Sequence, residues 1–218
     1  MPKDQSSTGS SPREGSTQPK QSGSNSQSVS PPRAFVVDTI KATTISPSAI
    51  DRQVQRKVLF VLKSKVQPTK YDYMYNSKGW KGYEAFQSGK IVLKEDLAHF
   101  YESITFGRVC GLLEAHHIRP ASSVARFLTY QGSLMRGSHC SNYIASLIMR
   151  EFDYRMHGLA RKYGCKYGRY VDDFVFVCPP ESERSLLRLW TTPLVAEIVS
   201  ECGFLLNPTK TKLLYPSR

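Results

Sequence analysis

This chain has little that would anchor it in a membrane, a zinc cage or a disulfide framework. Nowhere do its 218 residues approach the roughly 20 consecutive apolar residues of a membrane span. The N-terminus has no apolar h-region, so a secretory leader is not expected. Asp4 and Glu14 interrupt a segment that a transit peptide would keep free of acids. The five cysteines, Cys110, Cys140, Cys165, Cys178 and Cys202, are odd in number and widely spread. No pair has C-x2-C spacing, which argues against structural zinc. Buried free thiols in a cytoplasmic chain are the expectation. Acids are scarce as well: 30 Lys and Arg face 18 Asp and Glu, for a net charge of +12. That excess implies a polyanionic partner, nucleic acid before an anionic membrane surface.

Residues 1–33 are Ser, Gly, Gln and Pro with scattered charges. They hold too little apolar surface to offset the entropy of ordering, so a disordered tail is expected. From Ala34 the character changes. Ser46-Pro47 reads as a helix start, with Ser46 at the N-cap and Pro47 at the first helical position. Ile50, Val54, Val58, Leu59, Val61, Leu62 and Val66 then recur at helical spacing. Tyr71 to Tyr83 reads as a loop dense in Tyr, Lys and Gly. Its aromatics interleave with Lys78 and Lys81, a pairing that suits stacked bases and phosphates. Ile91 to Leu97 reads as a strand ending in acid at Asp96. Thr105 can cap a helix, and one long helix is expected to follow Gly137. A helical stretch from Glu181 to Cys202 should break near Pro193 and stop at Gly203. Phe204–Leu206 and Lys210–Leu214 read as short strands.

The most informative segment is Arg169-Tyr170-Val171-Asp172-Asp173-Phe174-Val175-Phe176-Val177. Phe174 to Val177 has the composition of a buried strand, with Lys166 to Val171 as its hairpin partner. Two adjacent carboxylates at such a tip repel and raise a pKa unless a cation neutralises them. Hard Mg²⁺, which takes oxygen ligands, is the natural candidate. The dipeptide alone also fits an ordinary surface turn.

Four segments in order resemble one family. Tyr170-Val171-Asp172-Asp173 is similar to the Y-x-D-D motif of reverse transcriptases. Asp96 to Ile104 resembles the D-x-x-D-F-F-x-S-I segment of the bacterial retron and group II intron kind. Gly137 to Ser141, with Ser146 and Asp153, resembles their G-x-x-x-S helix. Gly203 to Thr211 resembles their G-F-x-x-N-x-x-K-T element. The likeness runs from about Pro47 to Leu214.

The resemblance implies an α+β fold, the palm of a right-hand polymerase, with an antiparallel sheet backed by helices. Reduced fingers would cover residues 34–88 and the palm 89–218, with no complete thumb. It implies an RNA-directed DNA polymerase that joins a primer 3′-OH to dNTPs with two Mg²⁺ ions, Mn²⁺ being the alternative. Asp96, Asp172 and Asp173 would be the catalytic acids and metal ligands. Tyr101 would be the steric gate against a ribose 2′-OH. Arg136, Gly137 and Lys210 would face the nucleotide, and Tyr170, Lys78 and Lys81 the primer and template. The implied partners are an RNA template, a DNA primer or product, and a structured RNA or protein supplying a thumb. Departures are visible. His99 stands where the family usually has Asp, Arg136 where it has Gln, and Ser146 where it has Asn. The fingers motif survives only as Lys41, Ile45, Ser46 and Pro47. These departures keep open a template-independent DNA polymerase of the abortive-infection type, or a nucleic-acid-binding fragment without catalysis.

Overall fold

The structure, a computed structural model, describes residues 49–216, with side chains from residue 52. The expected tail, the Ser46-Pro47 cap and the fingers remnant lie outside the described residues.

The first two helices come before the sheet. Helix α1 (Ala49–Lys65) places Leu62 in the main core, with Val66 just past its end, and rests Val58 and Leu59 against it. Val54 and Val61 belong to the same apolar stripe but stay more than a third exposed. Tyr71 to Tyr83 is only partly the expected loop, because Gly79–Gln87 forms helix α2. Gly79 and Gly82 are poor helix formers. Burial of Tyr83 and packing of Phe86 against the sheet outweigh that local preference.

Strand β1 (Ile91–Ala98) is central. Helix α3 (Phe106–Ala115) follows, capped by Thr105, whose hydroxyl accepts the Arg108 N–H. Helix α4 (Ala121–Leu128) leads into the small hairpin β2 (Thr129–Tyr130) and β3 (Ser133–Leu134). The expected long helix is two: α5 (Ser141–Ile148) and α6 (Arg150–Lys162), separated by buried Met149 at ψ 0°. No Pro or Gly marks this break. Strands β4 (Lys166–Tyr170) and β5 (Asp173–Cys178) form the expected hairpin. Helices α7 (Glu183–Thr191) and α8 (Leu194–Glu201) divide at Pro193, and Gly203 takes the left-handed conformation, φ 73°, that ends the stretch. Strands β6 (Leu205–Leu206) and β7 (Lys212–Leu214) complete the sheet.

The sheet is antiparallel, in the order β4-β5-β1-β6, and β7 pairs with β1 beside β6. Strand alternation separates two faces. Ile91, Leu93, Leu97, Phe174 and Phe176 point to the helices and share a core with Val109, Leu113, Ile144, Phe152, Leu186 and Val199. Each such side chain stabilises the fold by about 1.5–3 kcal/mol. Val92, Val175 and Val177 point the other way, under Tyr73 and Tyr83, with Phe86 and Tyr170 packed alongside. Gly168 makes that second layer fit. A Cβ there would stand 2.8 Å from the Tyr73 ring and 3.0 Å from Phe86. An antiparallel sheet with helices massed on one face is the expected α+β palm. Five free cysteines and no helix long and apolar enough to span a membrane are found among the described residues.

Candidate active site

The register brings the acids together. Asp96 on β1 is the direct cross-strand partner of Asp173 on β5. Both lie on the face opposite the main helical core. Asp172 sits between them in chain order, in the two-residue turn Val171-Asp172 that joins β4 to β5. Its carbonyl accepts the Leu97 N–H at 3.2 Å. Val171 has φ 58°, while Asp172 does not share the positive sign. Two-residue hairpin turns that need a positive φ at their first position normally take Gly, Asn or Asp there. A β-branched residue in this region is strained.

The outer acids each face a lysine. The Lys210 ammonium lies 3.0 Å from the Asp96 carboxylate, which also accepts the Asn207 side-chain amide at 3.2 Å. Lys94, two residues before Asp96 on the same face, lies 3.0 Å from Asp173 Oδ2. Burial, followed by the charges of Asp96 and Asp173, pushes the Asp172 carboxyl above the usual carboxylate range, and Lys210 works against the rise. Among the described residues, no three acidic, His or Cys side chains are drawn into a ready metal cage. The donor chemistry nonetheless fits a hard divalent cation. All donors are carboxylate oxygens, they crowd one end of one sheet face, and their charge is now balanced by two lysines that a cation could replace.

Around the acids stand the other expected residues. Tyr101 follows β1, half-buried. Burial, then the nearby Asp172 charge, pushes its hydroxyl pKa up to about 12. It donates a short hydrogen bond to Asn142 Oδ1 on α5. Arg136 lies over the Tyr101 ring, 5.4 Å from its centre, and pairs with Glu102 at 3.1 Å. Gly137 follows at φ 81°. Tyr170 faces the acid side of the sheet and meets Trp80 of α2 edge-on at 4.9 Å, with Tyr83 at 5.9 Å. Lys78 and Lys81 flank Trp80, exposed at the start of α2.

Sequence reasoning missed four contributors: Lys94, Asn142, Glu102 and the buried Arg169. Lys94 had a signal, since a cation two residues from Asp96 in a strand must share its face. Arg169 had one too, a full charge at an inward-facing position of a buried strand. Of its partners, Asp153 was visible only as part of the helix motif after Gly137, and Asp72 had no signal.

Residues 41–218 match the family model described as "Reverse transcriptase (RNA-dependent DNA polymerase)". The Retron Mx65 reverse transcriptase of Myxococcus xanthus is 30% identical over 184 residues, covering 74% of this chain and 42% of that protein. The Retron Ec86 reverse transcriptase of Escherichia coli is 29% identical over 128 residues, 58% of this chain and 39% of that protein. The chain thus spans about two fifths of these curated relatives. The apo telomerase of Candida tropicalis aligns at a TM-score of 0.44 and 11% identity, over 77% of this chain and 36% of that one.

Proposed function

The chain belongs to the reverse transcriptase family, and on that footing we propose that it is an RNA-directed DNA polymerase, extending a DNA primer on an RNA template with dNTPs. The observation that carries this reading is the cross-strand pairing of Asp96 with Asp173, with Asp172 in the strained turn beside them.

Asp96 and Asp172, with Asp173 as third acid, would hold two Mg²⁺ ions, or Mn²⁺ in their place. When bound, such a pair activates an attacking hydroxyl and stabilises the leaving oxygen of an in-line displacement. The remaining groups bind and orient. The Tyr101 ring, fixed through its hydroxyl by Asn142 and covered by Arg136, would fill the space beside the sugar C2′. A ribose 2′-OH would clash there and a deoxyribose would fit. Lys210, once released from Asp96, would stand near the triphosphate and offset charge that develops on it. The Tyr170–Trp80 pair offers an apolar surface for the primer terminus, and Lys78 and Lys81 offer cations for strand phosphates. Glu102 holds Arg136 over Tyr101, so Arg136 supports the sugar site from the position where the family motif leads one to expect Gln.

The test is primer extension on a defined RNA template with Mg²⁺ and dNTPs, followed by sequencing of the product. The expected product is the complement of the template. A product unrelated to the template would overturn templated synthesis in favour of template-independent polymerisation.

A further inference from the structure

Beneath the catalytic turn, on the opposite face of the sheet from the carboxylates, lies a fully buried ionic network. Arg169, Asp72 and Asp153 are each completely shielded from solvent. Arg169 Nε donates to Asp153 Oδ1 at 2.7 Å, and Nη2 donates to Asp153 Oδ2 at 3.0 Å and to Asp72 Oδ2 at 2.8 Å. Both carboxylates are fixed from other directions. Asp153 also accepts the Tyr167 hydroxyl at 2.8 Å and the Thr69 hydroxyl at 2.5 Å, and Asp72 Oδ1 accepts the Met74 N–H at 3.0 Å. The backbone repeats the tie: Tyr73 N–H donates to the Arg169 carbonyl and Arg169 N–H to the Tyr71 carbonyl, at 2.8 and 2.9 Å. The guanidinium is therefore immobilised by α6 and by the 69–76 segment.

Its remaining bond goes outward. Arg169 Nη1 donates to the Val171 carbonyl at 2.8 Å. Val171 is the turn residue with φ 58°. A non-glycine residue in that region is strained and persists only where its surroundings over-determine it. Stability alone does not explain the network, because well-packed apolar side chains often replace a buried ion network at no loss. Apolar replacements could not direct a hydrogen bond at a chosen carbonyl. We propose that Arg169, clamped between Asp72 and Asp153, is a positioning residue that holds the Val171-Asp172 turn in its strained form and so aims the Asp172 carboxylate at the metal site. This deepens the polymerase reading and rests on it. It also makes the 69–76 segment part of the catalytic apparatus, through Asp72.

The test uses the full chain without nucleic acid and follows Mn²⁺ binding by electron paramagnetic resonance, beside thermal unfolding. Arg169→Lys keeps the charge and loses the fork. Groups that orient metal ligands from behind typically matter about 10- to 100-fold in metal affinity. The expected result is a folded protein whose Mn²⁺ affinity is down by at least about 10-fold. Glycine adopts positive φ freely, so the same change should cost markedly less in a Val171→Gly background. If Arg169→Lys does not fold, Asp72→Asn, which removes only the ionic tie from the 69–76 segment to the guanidinium, carries the same expectation. Unchanged Mn²⁺ affinity in a folded variant, or equal losses with Val171 and Gly at that position, overturns the positioning role while leaving the metal site standing. Unfolding of both variants overturns it too, since the network would then serve the fold alone. No Mn²⁺ binding by the wild-type chain overturns the metal-site reading first, and the inference with it.

Discussion

Asp172 feels burial and two neighbouring carboxylates at once, and of the three acids it alone has no lysine directly on its oxygens among the described residues. Asp172→Asn should therefore abolish nucleotide incorporation while leaving the fold intact, since it removes a charge that the fold accommodates at a cost. Circular dichroism and incorporation measured together check this; loss of activity with loss of fold would not support it. Sugar selection is a second matter of single residues. Asn142→Ala frees the Tyr101 hydroxyl, and the preference for dNTPs over rNTPs, taken as a ratio of kcat/KM, should fall several-fold, roughly what one lost hydrogen bond of about 1 kcal/mol implies. Tyr101→Ala should lower it further. An unchanged ratio in both variants would remove Tyr101 from the sugar site. Asp96, Asp172, Asp173 and Tyr101 were legible in the sequence because their motifs hold them at short, fixed spacings. The Arg169–Asp72 pair was not, because it joins residues 97 positions apart and no local pattern reports such a contact.

Helix α2 shows what an element contributes beyond its sequence pattern. Its Gly, Lys and Tyr content reads as loop, yet it folds because Tyr83 and Phe86 cover Val92, Val175 and Val177. Burial is a tertiary fact, invisible to a window of nine residues. Tyr83→Ala should destabilise the protein by about 3 kcal/mol or more, the usual cost of emptying a large aromatic site. It should also loosen Tyr170, so equilibrium unfolding and primer affinity should suffer together. Gly168→Ala acts on the same layer from the sheet side. Its new Cβ would press on the Tyr73 ring at 2.8 Å, and overpacking of that kind costs about 1–3 kcal/mol. The division of α5 from α6 at Met149 was equally hidden, since neither Pro nor Gly stands there. The division of α7 from α8 was plain, because Pro193 cannot sit inside a helix.

At the scale of the whole molecule, the net charge of +12 and the acid cluster work in opposite senses. The acids call for cations, and the basic remainder calls for phosphates. Binding to an RNA–DNA hybrid should weaken steeply with salt, because neutralised phosphates release counterions. Replacing Lys78 and Lys81 together by Ala should reduce the slope of log affinity against log salt by about 1.5–2 if both touch phosphates. A slope that does not change would place them outside the interface. The fold class followed from the family resemblance and the β4–β5 hairpin from its β-branched and aromatic composition; the order of the strands in the sheet and how its faces are covered did not, because they depend on segments far apart in sequence. The central claim is that Asp96, Asp172 and Asp173 form one catalytic metal site on the open face of the palm sheet. The most direct measurement compares Mg²⁺-dependent extension of a DNA primer on an RNA template by the wild-type chain and by the Asp96→Asn variant. The account predicts template-complementary DNA from the wild type and none from the folded variant. Full-length product from Asp96→Asn would contradict it.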